Sequence, residues 1–453
     1  MNMILSRQDF IFYCNAGKAV LRRKRNVIFF NDIDNLQNNL KNNIMVAFGS
    51  VPKDGGTYTF YRTIRPKLLE HGIDMRCVTV GKAEAGLVEA SFVDDGCVVL
   101  AETITDVKKQ AMVFTEWCEK TGIDIVFAIN SVAILSALPH LPEKIRVMAR
   151  CANAFDHGYR ITASCYDRLV RIVTTAPRHG RDLINDYNVQ ESRICMIPNG
   201  IDGDLFEEAA GNRRGEDAIL RLGFLGRLEH NQKGVLFLPD ILNRLHRQGV
   251  KFTCKIAGKG VHGKALADGL KGLIQKRIVE FVGPLSPDEV PGFLGGLDVY
   301  LFPSQFEGCP NALLEAIMAG CVPVVWLIEG ITDFIIKDGL TGVICQMGDC
   351  DAFADKISMF AGDRSKLQSM SGAAARDARE RFSQARVVAD YARLIQDAMR
   401  TPPPIWGPVP WSSFRPDPAF ADYRRWLSVF PGSLKRLIKN CLFYVGLSDR
   451  YYA

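Results

Sequence analysis

The chain has 453 residues, of which 47% are hydrophobic and 23% charged, and its formal net charge is +6. These values are typical of a globular protein of two or three domains and exclude the disordered and fibrous classes. Residues 1–41 and residues 401–453 each carry seven Lys or Arg and three Asp or Glu, so the positive excess lies in the two tails. A basic nucleic-acid groove in the body of the chain is therefore not expected.

Cysteine usage and hydropathy indicate the compartment. The 13 cysteines are scattered and form no C-x-x-C pair, a pattern typical of reduced thiols in the cytosol. No run of about 18 or more apolar residues occurs, so no transmembrane helix is predicted. We expect a cytoplasmic protein, with peripheral contact to the inner face of the membrane as an open alternative.

Short apolar runs alternate with amphipathic segments from residue 42 onward. In the first half, the pattern predicts strands at 44–48, 74–80, 123–129, 146–149, 171–175 and 193–197, and helices at 57–71 and near 105–121. Turn residues then cluster from Pro198 to Asp204. Continuous apolar strands that alternate with helices indicate parallel sheets.

The same alternation restarts after residue 218. It predicts strands at 219–225, 252–257, 278–282, 299–302 and 322–325, and helices at 234–248, 264–276, 288–294 and 311–319. We therefore predict an α/β protein with one domain at 42–200 and a second at 201–400, whose last helices cross back. Ligands of such sheets bind beyond the carboxyl ends of the strands, here in a cleft between the domains.

The tails differ from this body. Residues 1–41 form a basic extension, and residues 401–418 hold seven of the 21 prolines. The tail at 401–453 carries Trp406, Trp411 and Trp426, and Leu434 to Val445 has apolar residues at helical spacing. Both tails are candidates for contact with an anionic membrane surface, and solvated tails or a partner-docking arm are the alternative.

Two kinds of motif are interpreted as structural or accidental. Gly258 to Gly263 fits G-x-G-x-x-G, but it follows the second strand of its half, and Ala265 lacks the hydroxyl of a phosphate-binding P-loop. We interpret it as a tight strand-to-helix turn. Three D-x-D triplets lie in polar turns or tails, and no metal site is expected from them: Asp32/Asp34, Asp202/Asp204 and Asp349/Asp351.

The segment from Pro303 to Val324 carries the strongest signal. Its loop ends at Pro310, near the first position of a helix, where the missing N–H costs little. The free amides of the next three residues are expected to point into the cleft and to suit a phosphate: Asn311, Ala312 and Leu313. Glu307 precedes the helix, and Glu315 lies two turns along it.

Two further loops contribute candidate ligand contacts. A strand end delivers Arg227, and Lys233 follows six residues later beside another helix start. Two cations and two helix N-termini in one cleft would offset the charge of a diphosphate. Gly55 and Gly56 follow the first strand and would let backbone approach a ligand closely, unless they form a plain turn.

Together with Ile197-Pro198-Asn199-Gly200-Ile201-Asp202, these segments resemble the family-four retaining glycosyltransferases of the GT-B fold. The resemblance covers residues 42–400, and it includes Gly258-Lys259-Gly260 and Asp338 to Gly342. It implies two Rossmann-like parallel-sheet domains facing a deep cleft.

The resemblance also implies residue roles. Arg227 and Lys233 would hold the donor diphosphate and stabilise the leaving group, and Glu315 would bind the ribose hydroxyls. Glu307, with the backbone after Gly308, would contact the donor sugar; Glu307, Arg227 and Lys233 are thus the catalytic candidates. The donor site would comprise Gly55, Gly56, Arg227, Lys233, Glu307, Gly308, Cys309, Asn311, Ala312, Leu313 and Glu315. Such enzymes use no metal and no cofactor besides the UDP- or GDP-linked sugar.

One departure from the family concerns the sugar side. The family often has a His after the fourth or fifth strand of the first half, near the donor sugar. Cys151 occupies the expected place here, with Asn153 or His157 as alternatives.

The resemblance predicts a retaining hexosyltransferase that moves a sugar from a nucleoside-diphosphate donor to a glycan or lipid-linked acceptor, in cell-surface polysaccharide or glycolipid synthesis. A GT-B sugar-nucleotide epimerase and a degenerate, non-catalytic scaffold are the alternatives.

Overall fold

The computed structural model describes residues 43–50, 56–81, 95–129, 131–164, 166–211, 219–402 and 407–417, together with the backbone of four strands before residue 31. These four strands form an antiparallel sheet in chain order. They are β1 (Ser6–Arg7), β2 (Phe10–Asn15), β3 (Lys18–Arg23) and β4 (Asn26–Phe30).

The first domain is built on a seven-stranded parallel sheet. Its strands are β5 (Ile44–Gly49), β6 (Ile73–Val80), β7 (Cys97–Leu100), β8 (Ile125–Ala128), β9 (Arg146–Cys151), β10 (Leu169–Thr174) and β11 (Ile194–Met196). They lie in the order β11-β10-β9-β8-β5-β6-β7. The helices between them are α1 (Gly56–Glu70), α2 (Val107–Thr121), α3 (Val132–Ala137), α4 (Asp156–Ala163) and α5 (Pro177–Tyr187).

The second domain contains a six-stranded parallel sheet in the order β14-β13-β12-β15-β16-β17. Its strands are β12 (Leu220–Leu225), β13 (Phe252–Ala257), β14 (Val279–Gly283), β15 (Val299–Phe302), β16 (Val322–Trp326) and β17 (Val343–Cys345). Its helices are α6 (Asp204–Gly211), α7 (His230–Lys233), α8 (Leu238–Arg247), α9 (Gly263–Gly269), α10 (Lys271–Gln275), α11 (Val290–Gly295), α12 (Asn311–Met318), α13 (Thr332–Ile335), α14 (Cys350–Gly362) and α15 (Arg364–Phe382). The predicted pair of parallel-sheet α/β domains is confirmed.

The strands occupy the cores of both domains because their side chains are apolar on both faces. Val46 and Phe48 of β5 and Val299 and Leu301 of β15 are completely buried. The apolar faces of helices cover each sheet, so the strand ends remain available at the cleft.

Two predicted helices differ from the structure. The helix predicted at 234–248 begins only at Leu238, as α8 with Pro239 in its first turn, because Gly234 is left-handed with a φ of 63° and ends the short helix α7, which was not predicted. The helix predicted at 264–276 divides into α9 and α10. The short strands β7 and β17 were not predicted, because three or four residues give too little periodicity.

The last helix, α16 (Gln384–Arg400), returns to the first domain. Its apolar face, which includes Val387, Tyr391 and Ile395, shares a core with β5 and α1. The two chain crossings run side by side, since the Ile201 amide donates to the Phe382 carbonyl at 2.9 Å. The domains are thus joined by two adjacent segments.

Part of the C-terminal tail packs on the first domain. Trp411 stacks on His140 with ring centroids 4.0 Å apart, and the His140 ring donates to the Val409 carbonyl at 2.6 Å. Asp417 is 3% exposed, and its amide donates to the Ser136 hydroxyl at 2.9 Å. The predicted tail helix after Leu434, the side chains of Arg22 to Arg25, Trp406 and Trp426 lie outside the described residues. Among the helices described, none is long and apolar enough to cross a membrane.

Candidate active site

The candidate site lies where β12 and β15 of the second domain end opposite β9 of the first. Adjacent parallel strands place their carboxyl ends at one sheet edge, so the loops after β12 and β15 meet. The Gln305 amide donates to the Gln232 carbonyl at 2.7 Å, which fixes the second loop against the first.

Lys233 and Glu307 form an ion pair in this edge. Lys233 Nζ lies 2.7 Å from Glu307 Oε1, and the two side chains are 15% and 6% exposed. The ammonium also lies 5.9 Å from the centre of the Phe302 ring. The two opposite charges thus offset each other where little water reaches them. The structure thus brings two of the predicted catalytic residues into direct contact.

Arg227 lies at the exposed end of the same loop. Its guanidinium donates to the side-chain oxygen of Gln232, and Gln232 Nε2 lies 3.5 Å from Glu307 Oε2. Arg227 has no carboxylate partner within the described residues. Its charge is therefore available to a ligand in the cleft.

Helix α12 follows the loop that holds Glu307, the partner of Lys233. Pro310 is the residue before the helix and caps it without a side-chain hydrogen bond. The Leu313 amide donates to the Pro310 carbonyl at 3.1 Å, so it is engaged rather than free as expected. For the amides of Asn311 and Ala312, no acceptor lies within the described residues. Two N–H groups without an acceptor at a helix start are suited to an anionic ligand.

Glu315 lies further along α12, on a half-buried position. Burial raises the pKa of its carboxyl to about 7. No hydrogen bond or ion pair engages this carboxylate within the described residues. The carboxyl is thus desolvated and unpartnered, as a group that accepts from ligand hydroxyls would be.

The two glutamates share one neighbourhood. The buried Tyr300 hydroxyl donates to the Leu225 carbonyl at 2.9 Å. Its pKa is raised first by burial and then by the charges of Glu315 and Glu307. Tyr300 thus lies within electrostatic reach of both carboxylates.

Gly308 lies in the loop between β15 and α12 (residues 303–310, the donor loop) and closely approaches the first domain. A Cβ atom at this position would lie 1.8 Å from the Ala152 carbonyl oxygen, so only glycine permits this approach. The contact brings residues 307–309 against the end of β9.

Cys309 and Asn311 are held from the interdomain linker. Asn199 Nδ2 donates to the Cys309 carbonyl at 3.0 Å and to Asn311 Oδ1 at 2.7 Å. Arg150, at the end of β9, donates to Asn199 Oδ1 at 2.6 Å. Asn199 was noted only as part of a linker motif, and Arg150 was not predicted. The available signal in the sequence was an arginine directly after the predicted apolar strand at 146–149.

The sugar-side candidates differ in placement. Cys151 is 1% exposed within the core of the first domain, and burial raises the pKa of its thiol to about 11. It is therefore enclosed rather than presented to the cleft. Asn153 is exposed, and its Cα would lie 3.4 Å from a Cβ on Gly308, which places it beside the donor loop. His157 is half-buried in the first turn of α4.

The remaining predicted positions are quickly placed. Gly56 is the exposed first residue of α1, and Gly55 lies outside the described residues. The G-x-G-x-x-G turn packs on the loop after β12, where the Leu228 amide donates to the Lys259 carbonyl at 3.0 Å. A Cβ on Gly258 would lie 1.8 Å from the Gly226 carbonyl oxygen, so this glycine serves loop packing.

The acidic triplets have separate uses. Asp349 caps α14 by accepting from the Ala352 amide at 2.8 Å, and Asp351 pairs with Arg244. Asp32 and Asp34 lie outside the described residues. In the described part of the chain, no group of three or more His, Cys, Asp or Glu side chains is arranged to hold a metal ion.

Comparison with known proteins gives a consistent result. Residues 220–363 match the family described as glycosyl transferases group 1. The chain is 27% identical over 249 residues to the D-inositol 3-phosphate glycosyltransferase of Corynebacterium aurimucosum, which covers 51% of this chain and 57% of that protein. The match thus spans little more than half the length of this relative.

Solved structures share the fold. Anabaena Alr3699/HepE in complex with UDP and glucose superposes with a TM-score of 0.64 at 16% identity, over 78% of this chain and 100% of that one. The lipopolysaccharide outer core galactosyltransferase WaaB superposes with a TM-score of 0.61 at 17% identity, over 78% and 99%. The chain thus has the two-domain GT-B fold of these structures, and its second domain matches glycosyl transferases group 1.

Proposed function

We propose that the protein is a retaining glycosyltransferase that takes a hexose-type sugar from a UDP- or GDP-linked donor. The observation that carries this proposal is the contact between two loops: Lys233 pairs with Glu307, and the loop that holds Glu307 leads into α12, whose first two amides have no acceptor within the described residues. Fixed N–H groups and cations in a partly buried site stabilise the negative charge that develops on a leaving diphosphate.

Each residue has a role in this proposal. Arg227 and Lys233 bind the diphosphate, with the amides of Asn311 and Ala312 on its other side. Glu315 accepts from the ribose hydroxyls, and Glu307 fixes Lys233 while the backbone at Gly308 and Cys309 meets the sugar. Gly55, Gly56 and Leu313 complete the donor site as backbone neighbours.

Retention follows from attack on the face that the leaving group occupies. The bond between the anomeric carbon and the phosphate oxygen breaks, and the acceptor oxygen forms its bond on the same side. The leaving phosphate takes the acceptor's proton, so no protein nucleophile is needed. The two cations and the helix start offset the charge for which other enzymes use a metal ion.

A glycan or lipid-linked acceptor in cell-surface polysaccharide or glycolipid synthesis is proposed on two grounds. The structurally similar WaaB is named for lipopolysaccharide, and the relative in Corynebacterium is named for an inositol phosphate. The positive excess in the tails suits an anionic membrane surface. Asn153 and His157 are the acceptor-side candidates that the structure leaves accessible in part.

The first experiment measures binding of UDP, GDP and ADP to the wild-type protein by calorimetry. We expect one of the three to bind, and we expect Arg227→Ala and Glu315→Ala to weaken it. Arg247→Ala is the matched control, since Arg247 is an exposed arginine at the far end of α8. Undiminished binding in both site variants would show that the nucleotide binds elsewhere.

The second experiment follows the sugar. The purified protein is incubated with the matching nucleotide sugar, with and without a lipid-linked glycan, and the anomeric configuration of the product is read by NMR. Transfer with retained configuration is expected. Sugar interconversion without any acceptor would instead indicate an epimerase, and absence of nucleotide binding would indicate a non-catalytic scaffold.

Membrane association is tested with a chain that ends at residue 417, which keeps the packed part of the tail. We expect the full chain to sediment with vesicles that contain phosphatidylglycerol more strongly than the shortened chain does. Equal sedimentation of the two would remove residues 418–453 from the proposed membrane contact.

A further inference from the structure

A chain of polar contacts runs from the first domain to the amino end of α12. It begins at Arg150, the residue before the end of β9, passes through Asn199 in the linker and ends at Cys309 and Asn311. Asn311 itself carries one of the two free amides proposed to bind the diphosphate, and Ala312, the next residue, carries the other.

Every polar atom of the Asn199 side chain is used. Its Nδ2 donates to the Cys309 carbonyl and to Asn311 Oδ1, and its Oδ1 accepts from Arg150. An amide nitrogen has two donors, so both are engaged and the orientation of the group is set by its partners. The main-chain amide of Asn199 also lies 3.4 Å from the Cys309 sulfur. The linker thus contacts the donor loop where that loop enters α12.

Arg150 fixes Asn199 in place. Its side chain lies over the Phe60 ring, 4.1 Å from the ring centre, and its Nε donates to the Tyr391 hydroxyl at 3.1 Å. These contacts come from α1 and from α16, the two helices on one face of the first sheet. The planar guanidinium binds Tyr391 through Nε and Asn199 through Nη2, and the single nitrogen of an ammonium group does not reproduce this fixed spacing of two donors.

The charge of Arg150 is also unusual. The residue is 5% exposed, and no carboxylate pairs with it within the described residues. Burial raises the pKa of the Cys309 thiol to about 11, and the nearby charge of Arg150 acts in the opposite direction. The positive field of this first-domain residue therefore reaches the donor loop.

We propose that Arg150 and Asn199 are positioning residues for the diphosphate site. They fix residues 309–311 so that the free amides of α12 point at the donor phosphates, and they tie that orientation to the contact between the domains. Since Gly308 touches Ala152 beside this network, the loop is held at two successive points by the first domain. The inference rests on the proposed function, because it assigns the anion at α12 to a nucleoside diphosphate.

The test compares a nucleoside diphosphate with its nucleoside. Wild-type protein, Asn199→Ala, Asn199→Asp and Arg150→Lys are titrated with UDP and with uridine, or with GDP and guanosine if the wild-type protein prefers GDP. We expect the affinity of each variant for the diphosphate to fall about tenfold and its affinity for the nucleoside to stay within about twofold of the wild-type value. Only the phosphates contact the reoriented amides.

The variants separate positioning from stability. Asn199→Asp keeps the acceptor for Arg150 and is expected to fold, but it lacks the two donors to Cys309 and Asn311. Arg150→Lys keeps the positive charge but loses the two separate guanidinium donors that bind Tyr391 and Asn199. Asn243→Ala is the matched control, since Asn243 donates to the Gly269 carbonyl at 3.3 Å, away from the cleft.

Three outcomes would overturn the inference. Wild-type affinity for the diphosphate in the Asn199 variants would show that the linker does not orient the amides. An equal loss for nucleoside and diphosphate would show a general structural role. If the wild-type protein binds no nucleoside diphosphate, the proposed function itself fails, and the inference fails with it.

Discussion

Lys233 Nζ and Glu307 Oε1 are 2.7 Å apart in a buried pair, so the cation assigned to the donor diphosphate already has an anionic partner. A diphosphate that binds beside Lys233 would share this ammonium with Glu307. The pair therefore sets the position of the cation before the donor arrives, and it prevents Lys233 from extending into solvent.

Removing Lys233 should harm both the fold and the site. Lys233→Ala leaves Glu307 buried without its cation, and we expect a loss of about 3 kcal/mol in the free energy of unfolding. Lys233→Ala/Glu307→Gln should recover much of this stability but none of the diphosphate affinity. Urea unfolding and calorimetry measure the two effects, and equal stability of the single and double variants would contradict the prediction.

Glu315 should show opposite effects on stability and binding. Its pKa is raised from an ordinary 4.5 to about 7, so the folded protein holds this proton more tightly than the unfolded chain does. The ionised carboxylate therefore destabilises the fold, and this cost grows as the pH rises from about 4.5 to about 7 and is constant above that range.

Glu315→Gln removes that cost. We expect the variant to be more stable than the wild-type protein at pH 8, by up to about 3 kcal/mol, and equally stable at pH 4. It should nevertheless bind the nucleoside diphosphate more weakly, because the carboxylate no longer accepts from the ribose. Unfolding curves at the two pH values decide the matter, and a stability gain independent of pH would contradict the assigned pKa.

Gly308→Ala should separate binding from turnover. The added Cβ would overlap the Ala152 carbonyl oxygen, so the donor loop and the first domain must move apart. Because Gly308 also helps to hold the loop before α12, we expect the diphosphate affinity to fall by up to about tenfold, as in the Asn199 variants, while kcat falls by about 100-fold.

Gly362→Ala is the control for that experiment, since a Cβ there meets nothing within 4 Å. Steady-state kinetics with a saturating donor would measure kcat. Wild-type turnover in Gly308→Ala would show that the approach between Gly308 and Ala152 is not needed for catalysis.

Trp411→Ala should affect stability alone. The indole stacks on His140 of the first domain and packs against its core, far from the loops after β12 and β15. We expect a loss of about 1–2 kcal/mol in the free energy of unfolding and unchanged diphosphate affinity. Weaker diphosphate binding in the folded variant would imply that this tail segment influences the cleft.

The sequence predicts the sheets better than the contacts at the cleft. Strands such as 299–302 and 322–325 consist of continuous apolar residues, and the structure has them as Val299–Phe302 and Val322–Trp326. After β12, one helix was predicted at 234–248. Gly234 instead adopts a left-handed conformation and ends the short helix α7, so that α8 begins only at Leu238. One glycine thus outweighs the apolar spacing that follows it.

The interdomain contacts could not be read from the sequence because they depend on how two separately folded units meet. Arg150 and Asn311 are 161 positions apart, and Asn199 joins them by hydrogen bonds to both. Cys151 shows the converse. Its place in the chain suggests a cleft residue, but strand β9 turns its side chain into the core. The direction of a side chain at a strand end depends on register, which a single sequence fixes poorly.

The return of α16 to the first domain has a consequence for synthesis on the ribosome. Residues 219–382 can complete the second domain while the first domain still lacks the helix that carries Val387, Tyr391 and Ile395. The usual order, in which the N-terminal domain folds first, is thus disfavoured here. Until residue 400 has emerged, the apolar surface of the first domain that α16 covers, which includes Phe60, is exposed to solvent and is a site where chaperones would bind.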